Sequence, residues 1–215
     1  MSKKNKKLPF KILKCNERND ITIGASIVKN GGVIIFPTDT LYGIGCNPYD
    51  EKAVDKIFKI KNRDKINPLP ILASSVVDVE RIALLGSAAK KLAQIYWPGA
   101  LTVIVPLIDK NISRNLRADK MIIGVRVPNN TCALSLLKDC KYLTGTSANK
   151  SGEGGCKSFS EVLSSPLRGF DAILDGGEVE ERVQSTIVDL TGQHPRVIRE
   201  GAIVSQAIYA TLRTE

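Results

Sequence analysis

The chain has 215 residues, which is enough for one sizeable core or at most two small domains. Hydrophobic residues make up an ordinary 43% of it, and no apolar run approaches the roughly 20 residues of a membrane span. The basic N-terminus lacks the apolar core of a signal peptide, and the net charge of +9 favours an anionic partner. We therefore expect a soluble, cytoplasmic protein that binds a nucleotide, tRNA or another polyanion.

The cysteine and histidine content argues against a metal site and against a disulfide framework. The cysteines are odd in number and none has CxxC spacing: Cys15, Cys46, Cys132, Cys140 and Cys156. We predict that all five are reduced and structural. The single histidine, His194, lies in a turn-like sequence and is expected to be exposed. A Cys–His nucleophile pair is allowed by composition, but no local pattern supports it.

In chain order, the first half alternates between helical periodicity and short apolar runs. Residues 1–15 are predicted to be a basic, flexible N-terminal segment, and residues 16–215 a single folded domain. Helices are predicted at 17–30, 50–61, 75–82 and 87–95. Strands are predicted at 33–36, 69–73 and 101–107.

The second half continues the alternation. Helices are predicted at 131–138, 158–164 and 204–213, and strands at 121–127, 142–146, 171–174, 186–190 and 197–199. The mixture predicts an α/β fold, a single domain with a twisted sheet of parallel and antiparallel strands and flanking helices. The sequence contains neither GxGxxG after the first strand nor GxxxxGK[ST], so a nucleotide would bind without the two common phosphate loops.

The stretch FPTDTLYGIG follows a short apolar strand and places two hydroxyls where a small polar ligand could bind. Thr38 and Thr40 would point the same way if the chain stays extended. Hydroxyls both donate and accept hydrogen bonds, which suits an amino acid or a carboxylate. The alternative is a turn in which the threonine hydroxyls bond the backbone.

Two loops carry further candidate groups. Lys61 and Arg63 lie at the end of a predicted helix and just past it, and two cations at this spacing suit phosphate oxygens or a carboxylate. The alternative is a solvated helix end favoured by the macrodipole. The loop from Thr144 to Asn149, with the glycines after it, could hold a phosphate through backbone N–H groups, or could be an ordinary loop with a helix cap.

Arg126 and Arg199 stand within apolar strands, where a charge is costly unless it is paired or binds a ligand. A structural ion pair with Asp175 or Asp189 is the alternative to a ligand. The chain lacks a Ser-His-Asp set, since His194 is its only histidine. Cations, hydroxyls and glycines fit an enzyme that positions anionic substrates and stabilises charge, rather than one that forms a covalent intermediate.

Eight motifs occur in an order that resembles one enzyme family, the YrdC-like threonylcarbamoyl-AMP synthases. They are FPTDTLYGIG, KNR…NPLPIL, WPGALTVIV, GVRVP, TSAN, ILDGG, STIVDLTG and VIREGAI, and they cover roughly residues 20–203. The resemblance implies a YrdC-like fold with a basic concave site, in the short, single-domain form.

The resemblance also implies an activity. Such enzymes make L-threonylcarbamoyladenylate and pyrophosphate from L-threonine, bicarbonate and ATP, and Mg²⁺ accompanies the ATP. The product feeds the t6A modification of tRNA through a downstream tRNA threonylcarbamoyl transferase complex. Direct contact with tRNA or another RNA stays open.

Carried over onto this sequence, the resemblance implies two sets of binding residues. The implied ATP contacts are Lys61, Arg63, Asn67, Ile122, Ser147, Asn149, Gly155 and Arg199. The implied L-threonine contacts are Thr40, Leu72, Arg126, Gly145 and Ser185. Lys61 and Arg63 would stabilise charge during catalysis, no residue would act as a nucleophile, and no protein ligand for a metal is implied.

Glu200 is the departure from the family that matters most, because it puts an anion beside Arg199. Asp64 likewise follows Arg63 where the family commonly differs. Three other functions are kept as alternatives: a non-catalytic RNA-binding module, a carbamoyl-transfer domain of the hydrogenase-maturation kind, and a related enzyme with another acyl substrate. The charge favours the first, and the lack of paired-cysteine zinc motifs argues against the second.

Overall fold

The computed structural model describes residues 8–66, 68–117, 121–179 and 183–213. The described residues contain seven α-helices: α1 (Arg18–Lys29), α2 (Glu51–Lys61), α3 (Val76–Glu80), α4 (Ser87–Tyr96), α5 (Thr131–Cys140), α6 (Phe159–Ser164) and α7 (Ser205–Arg213). They contain eleven strands: β1 (Lys11–Lys14), β2 (Ile34–Phe36), β3 (Gly43–Gly45), β4 (Ile71–Ala73), β5 (Leu101–Pro106), β6 (Ile122–Arg126), β7 (Tyr142–Thr144), β8 (Thr146–Ser147), β9 (Ala172–Asp175), β10 (Thr186–Asp189) and β11 (Arg196–Arg199). A short 3₁₀ helix spans Arg114–Leu116.

The strands form two sheets. One has the order β1-β9-β2-β3-β8 and the other the order β11-β10-β5-β6-β4-β7. Both sheets are mixed, since β2 pairs in parallel with β9 but antiparallel with β3, and β5 pairs in parallel with β10 but antiparallel with β6. The predicted α/β class with mixed pairing is confirmed, whereas the prediction of one sheet is wrong.

The sequence did not predict the second sheet, because β3 lies within FPTDTLYGIG, a stretch with the composition of a ligand-binding loop. After β2 the chain turns and returns as β3, so that Ile35 pairs with Ile44. Gly45 allows this strand to pass close to β7, because a Cβ at this position would collide with the carbonyl oxygen of Thr144. A three-residue strand with two glycines gives little periodicity from which to predict it.

Successive residues of β2, and Val33 just before it, pack alternately into two different hydrophobic clusters. Val33 and Ile35 join the larger cluster, which also contains Val103 and Val125 of the six-stranded sheet. Ile34 and Phe36 join a second cluster with the buried faces of α1 and α5. Because β2 is covered on both faces, its sequence is continuously apolar rather than alternating.

Several boundaries differ from the predicted ones. Helix α5 was predicted to end at residue 138, but it continues to Cys140, and the side chain of Asn130 caps its start by accepting from the amide of Ala133 (3.0 Å). The predicted flexible segment, residues 1–15, includes β1, which pairs in parallel with β9. Residues 1–7, which hold the lysine-rich tail, lie outside the described residues. No described helix is both long enough and apolar enough to cross a membrane.

The prediction that all five cysteines are reduced is wrong for two of them. Cys15, just after β1, forms a disulfide with Cys132 in the first turn of α5, although 117 residues separate them in sequence. The fold brings these positions together by packing α1 against α5 beside β1, and no local cysteine spacing could show that. Cys46, Cys140 and Cys156 are free thiols, as predicted.

Candidate active site

Both sheets contribute residues to a cavity of about 620 Å³, a size typical of ligand-binding pockets. Its charged lining residues comprise four cations and two carboxylates: Lys61, Arg63, Arg126, Arg199, Asp64 and Glu153. Hydroxyl and amide side chains supply most of the remaining polar lining: Thr38, Thr40, Thr102, Thr146, Ser147, Asn149, Ser151, Gln184 and Ser185. The excess of cations and the many neutral donors suit an anionic, polar ligand.

A row of cross-strand neighbours in the six-stranded sheet forms one wall. Ile187 of β10 pairs with Thr102 of β5, and Leu72 of β4 pairs with Arg126 of β6. The register of β5 against β6, in which position 103 faces position 125, places Thr102 opposite Arg126. Residues paired across a sheet share one face, so the wall has a polar centre flanked by two apolar side chains.

Lys61 lies on the apolar face of α2, at the end of the helix that borders the cavity. Val54, Ile57 and Phe58 are buried at helical spacing, and Lys61 continues the same stripe at the last position of the helix. Asn62 then adopts the left-handed conformation (φ 50°), and the amide of Arg63 bonds back to Phe58, so the chain turns sharply after the lysine. The lysine is therefore a buried residue rather than the solvated helix end that the sequence left as an alternative.

The ammonium of Lys61 is held by neutral oxygens. Its side chain is 1% exposed, and Nζ donates to the carbonyl oxygens of Ser147 (2.5 Å) and Asn149 (2.7 Å). Burial, and to a lesser degree the charge of Arg63, lowers the pKa of Lys61 to about 8. The lysine thus couples α2 to the loop after β8 and presents a cation that an anionic ligand would stabilise.

Arg63 and Arg199 add two cations to the same cavity. Arg199 donates from Nε (3.1 Å) and Nη2 (2.8 Å) to the carbonyl oxygen of Ser185, and from Nη2 to its hydroxyl (3.1 Å). Burial lowers the pKa of Arg199, and the charges of Arg126 and Arg63 lower it further, while burial lowers the pKa of Arg63. Cations crowded in this way favour a bound anion, because the anion relieves their mutual repulsion.

The carboxylate of Glu200 bonds to the start of α7 and not to the neighbouring Arg199. This carboxylate accepts hydrogen bonds from the amide (2.6 Å) and the hydroxyl of Ser205, at the start of α7. These bonds lower the pKa of Glu200. Glu200, the residue that departs from the family pattern, therefore stabilises the first turn of α7.

We expect Glu200→Gln to leave turnover and the KM for ATP, the nucleotide that the resemblance implies, unchanged, because the carboxylate bonds to the start of α7. The melting temperature should fall slightly, since a neutral amide interacts less favourably with a helix N-terminus than a carboxylate does. Steady-state kinetics and thermal melts of this single variant test the assignment. A clear shift in this KM would show instead that Glu200 acts on the cations of the cavity.

The two threonines of FPTDT have different roles. The Thr38 hydroxyl donates to the carbonyl oxygen of Leu41 (2.7 Å) and accepts from the amides of Thr40 (3.1 Å) and Leu41 (3.2 Å). Thr38 therefore stabilises the turn, which was the alternative to a ligand-binding role at this position. Thr40 Oγ1 lies 3.0 Å from the Thr38 hydroxyl and accepts from Nη1 of Arg126 (3.2 Å), so that it sits at the edge of the cavity beside a cation.

The guanidinium of Arg126 is buried and held on three sides. Nε donates to the carbonyl oxygen of Gly99 (2.9 Å), Nη1 to Thr40, and Nη2 to the carboxylate of Asp39 (2.7 Å). Its structural ion pair is thus with Asp39, and with neither of the two acids that the sequence suggested. Three contacts use three of the five N–H donors of an arginine, which leaves two for a ligand.

Gly145 and Asn149 shape the segments on either side of β8. The Asn149 side-chain amide donates to the carbonyl oxygens of Lys150 (2.8 Å) and Glu153 (2.6 Å), and its buried Oδ1 has no partner among the described residues. Gly145 lies against Leu72, and a Cβ there would come within 2.5 Å of the leucine side chain. Asn149 therefore orders the loop, while the glycine lets it approach the wall of the cavity.

Most of the predicted site residues meet in this cavity. Those that line it are Thr40, Lys61, Arg63, Leu72, Arg126, Gly145, Ser147, Asn149, Ser185 and Arg199. Ile122 is not among them, because it begins β6 at the end away from Arg126. Gly155 packs against Leu41 without lining the cavity, and Asn67 lies outside the described residues.

Sequence reasoning missed Thr102 and Asp39. Thr102 is 3% exposed and its hydroxyl lies 3.1 Å from that of Ser185. A lone threonine in the apolar strand LTVIVP is the same kind of signal that singled out Arg126, although weaker. Asp39 stands out as the one acid between two threonines, but the local sequence does not indicate that it pairs with Arg126.

The remaining reactive groups do not form a nucleophilic site. Burial raises the pKa of the thiols of Cys46 and Cys140 to about 12, and it also raises the pKa of Cys156. His194 is exposed. Within the described ranges, no three His, Cys, Asp or Glu side chains come together in a way that could hold a metal ion.

Comparison with known proteins agrees with the motifs. Residues 26–201 match the family model Sua5_yciO_yrdC, which carries the description "Telomere recombination". The chain belongs to the Sua5/YciO/YrdC family. This membership confirms the family that the eight sequence motifs indicated, and the mixed α/β fold of the chain is the fold of solved Sua5 and YciO proteins.

Two relatives in the Sua5/YciO/YrdC family bear the name of the expected enzyme. The threonylcarbamoyl-AMP synthase of Pyrococcus abyssi is 34% identical over 190 residues, which are 87% of this chain and 56% of that protein. The putative threonylcarbamoyl-AMP synthase of Mycobacterium tuberculosis is 31% identical over 193 residues, which are 89% of this chain and 88% of that protein. The chain thus spans about half the length of the first relative.

The fold of this chain closely matches a solved structure of a Sua5/YciO/YrdC protein. The crystal structure of Pyrococcus abyssi Sua5 complexed with L-threonine superposes with a TM-score of 0.89 at 32% identity. The match covers 95% of this chain and 61% of that one. In that relative, L-threonine is bound.

Proposed function

We propose that this chain is a threonylcarbamoyl-AMP synthase, a nucleotidyltransferase that uses L-threonine, bicarbonate and ATP. The observation that carries the proposal is one cavity in which two kinds of anion site adjoin. Lys61, Arg63 and Arg199 offer a cluster of cations, whereas Arg126 is paired with an acid and stands beside hydroxyl groups. The first kind suits a triphosphate and the second a monocarboxylate.

We assign one substrate to each of these two groups of residues. We place the ATP phosphates against Lys61, Arg63 and Arg199, with Ser147 and Asn149 nearby. We place the threonine carboxylate on Arg126 and Thr40. The rest of the amino acid would contact three other lining residues, which are Leu72, Gly145 and Ser185. Asn67, Ile122 and Gly155 stay as ATP contacts expected from the resemblance alone.

The chemistry requires positioning rather than an enzyme nucleophile. The threonine amine adds to bicarbonate with loss of water, or to CO₂, to give an N-carboxylate. An oxygen of this carbamate attacks the α-phosphorus of ATP, and the bond to pyrophosphate breaks. Lys61, Arg63 and Arg199 stabilise the charge that builds on the phosphate oxygens, and holding the two substrates in one cavity removes the entropy cost of their meeting.

A magnesium ion fits this site as a companion of ATP. Asp64 and Glu153 are the two carboxylates among the described lining residues, and Mg²⁺ in nucleotide sites commonly takes one or two carboxylates together with substrate phosphates and water. We propose these two as its protein-side ligands. The bound ion would offset part of the negative charge of the triphosphate.

The product would leave for another enzyme. A threonylcarbamoyl-adenylate is a reactive mixed anhydride, so we propose that a tRNA threonylcarbamoyl transferase complex in the cytoplasm consumes it to make t6A. Direct contact of this chain with tRNA is not needed for that role. The net charge of +9 alone favours RNA binding, which would be the leading alternative if turnover were absent.

The proposal is tested by identifying the product. The pure protein is incubated with ATP, Mg²⁺, L-threonine and ¹³C-bicarbonate, and the adenylate is analysed by mass spectrometry. We expect threonylcarbamoyl-adenylate carrying one ¹³C, and little product when valine replaces threonine. An unlabelled threonyl-adenylate would show instead a simple amino-acid activation and would refute the proposed reaction.

The lowered pKa of Lys61 predicts a pH dependence of ATP binding. The ammonium loses its proton as the pH rises through about 8 in the free protein, whereas bound phosphates would hold the proton to higher pH. The affinity for ATP should therefore fall by about five- to tenfold between pH 7.5 and pH 9. Calorimetric titrations of the wild type and Lys61→Met check this, because the variant should lose the dependence. An equally steep fall in the variant would assign the titration to another group.

A further inference from the structure

The ion pair between Asp39 and Arg126 joins three elements at the edge of the cavity. Both side chains are almost fully buried, and Nη2 of Arg126 lies 2.7 Å from Oδ1 of Asp39. The same carboxylate oxygen accepts the amide of Asn129 (3.1 Å), one residue before the cap of α5. Asp39 thus fastens the turn after β2 to the end of β6 and to the start of α5.

Asp39 is the one charged group among the three that orient the guanidinium. The carbonyl oxygen of Gly99 and the hydroxyl of Thr40 hold the other two sides of Arg126. A hydrogen bond between two ions is shorter and roughly twice as strong as one between neutral groups, so Asp39 contributes most to the orientation. The direction in which the two remaining N–H donors point follows from this contact.

Asp39 also changes the charge of this part of the cavity. Lys61 and Arg199 contact neutral oxygens in the described parts of the chain, so their charge is available to a polyanion. Arg126 and Asp39 together carry no net charge, while Arg126 still has donors to offer. A neutral pair with directed donors favours a small carboxylate over a phosphate, because the more highly charged phosphate gains more from net positive charge than a monocarboxylate does.

We infer that Asp39 is a positioning residue for the amino-acid carboxylate: it fixes the orientation of Arg126 and offsets its charge, so that this end of the cavity takes a monocarboxylate and excludes phosphate. The inference rests on the proposed function, because it assumes that Arg126 receives the substrate carboxylate. It adds that the selection between the two anions depends on an acid that does not itself contact either of them.

The first test compares Asp39→Asn with Asp171→Asn. Asp171 is a control with the same kinds of partner, because its carboxylate likewise accepts from one cation, Lys56 (2.7 Å), and from one backbone amide, that of Val33 (2.8 Å). It is more exposed than Asp39 and does not line the cavity. We expect Asp39→Asn to raise the KM for threonine by on the order of tenfold or more, with a much smaller change in kcat and in the KM for ATP. Asp171→Asn should change none of them.

A second readout separates charge from orientation. Inorganic phosphate should compete with ATP but not with threonine in the wild type, whereas in Asp39→Asn it should also compete with threonine. Asp39→Glu keeps the charge but displaces the carboxylate by one methylene, so the KM for threonine should rise without any competition by phosphate. This variant leaves no unpaired guanidinium, and it keeps the test decisive if Asp39→Asn does not fold.

The outcomes are distinct. An unchanged KM for threonine in either folded Asp39 variant overturns the positioning role. A fall in kcat and melting temperature without a change in this KM assigns Asp39 to stability alone, which also overturns it. If phosphate does not compete with threonine in folded Asp39→Asn, the charge-offset part is refuted. Absence of threonine-dependent turnover in the wild type would instead refute the proposed function, whatever the variants do.

Discussion

Replacing Lys61 with methionine is expected to lower kcat by on the order of 10²-fold, the loss typical of removing one preorganised group that stabilises charge in a transition state. Methionine fills a similar volume, so the buried end of α2 should still pack. It cannot donate to the carbonyl oxygens of Ser147 and Asn149, and it offers no charge to the phosphates. The KM for ATP should rise as well, whereas the KM for threonine should change little.

Lys59→Met is the matched control for this experiment. Lys59 belongs to the same last turn of α2 but is exposed, and it does not line the cavity. Its replacement should leave both substrates and kcat unchanged. Initial rates of pyrophosphate release, with melting temperatures to show that each variant is folded, decide the comparison. Equal rates for Lys61→Met and the wild type would remove the buried lysine from the mechanism.

Replacing Arg126 with lysine is expected to raise the KM for threonine by on the order of 10- to 100-fold, which corresponds to losing one charge-assisted hydrogen bond. Lysine keeps the charge that pairs with Asp39, but a compact ammonium cannot also reach Gly99, Thr40 and a carboxylate. The affinity for ATP should change much less, because the phosphates are placed on other cations.

Arg196→Lys serves as the control for the arginine variant. Arg196 is also a strand arginine near an aspartate, with 3.7 Å between its Nη2 and Asp189, but it is exposed on the edge strand β11 and outside the cavity. Direct binding of threonine measured by calorimetry, in the presence and absence of ATP, reports the effect independently of turnover. Threonine affinity that is equal in Arg126→Lys and the wild type would place the substrate carboxylate elsewhere.

The sequence predicted the parts of the site that depend on local pattern. The spacing of apolar residues in α2 predicted the helix, and the arginines in apolar strands stood out because an unpaired charge there is costly. The order of eight motifs identified the family, which the comparisons confirm. The helix and the strand arginines are visible within a short stretch of residues, and the motifs are read from their order along the chain, so none of these signals requires knowledge of tertiary contacts.

What the sequence left undecided depends on contacts across the fold. Thr38 and Thr40 are equivalent in sequence, and only the return of the chain as β3 makes one a turn residue and the other a neighbour of Arg126. Arg126 lies 87 residues from Asp39, so its partner could not be read from spacing.

The cysteine pair and Glu200 illustrate the same limit. Cys15 and Cys132 are joined because β1 and the start of α5 are brought together, although the composition argued for reduced thiols. Glu200 was expected to disturb Arg199 because the two are adjacent in sequence, but it faces the start of α7 instead. Adjacent residues of an extended strand point to opposite sides, and where each side leads is set by tertiary structure.

The proposed function is that one cavity binds ATP and threonine together and joins them through bicarbonate. It is tested most directly by pyrophosphate release from the pure protein with ATP and Mg²⁺, omitting threonine or bicarbonate in turn. We expect release only when both are present, and its loss in Lys61→Met. Release that is independent of threonine, or absent from folded protein with all substrates present, would contradict the account.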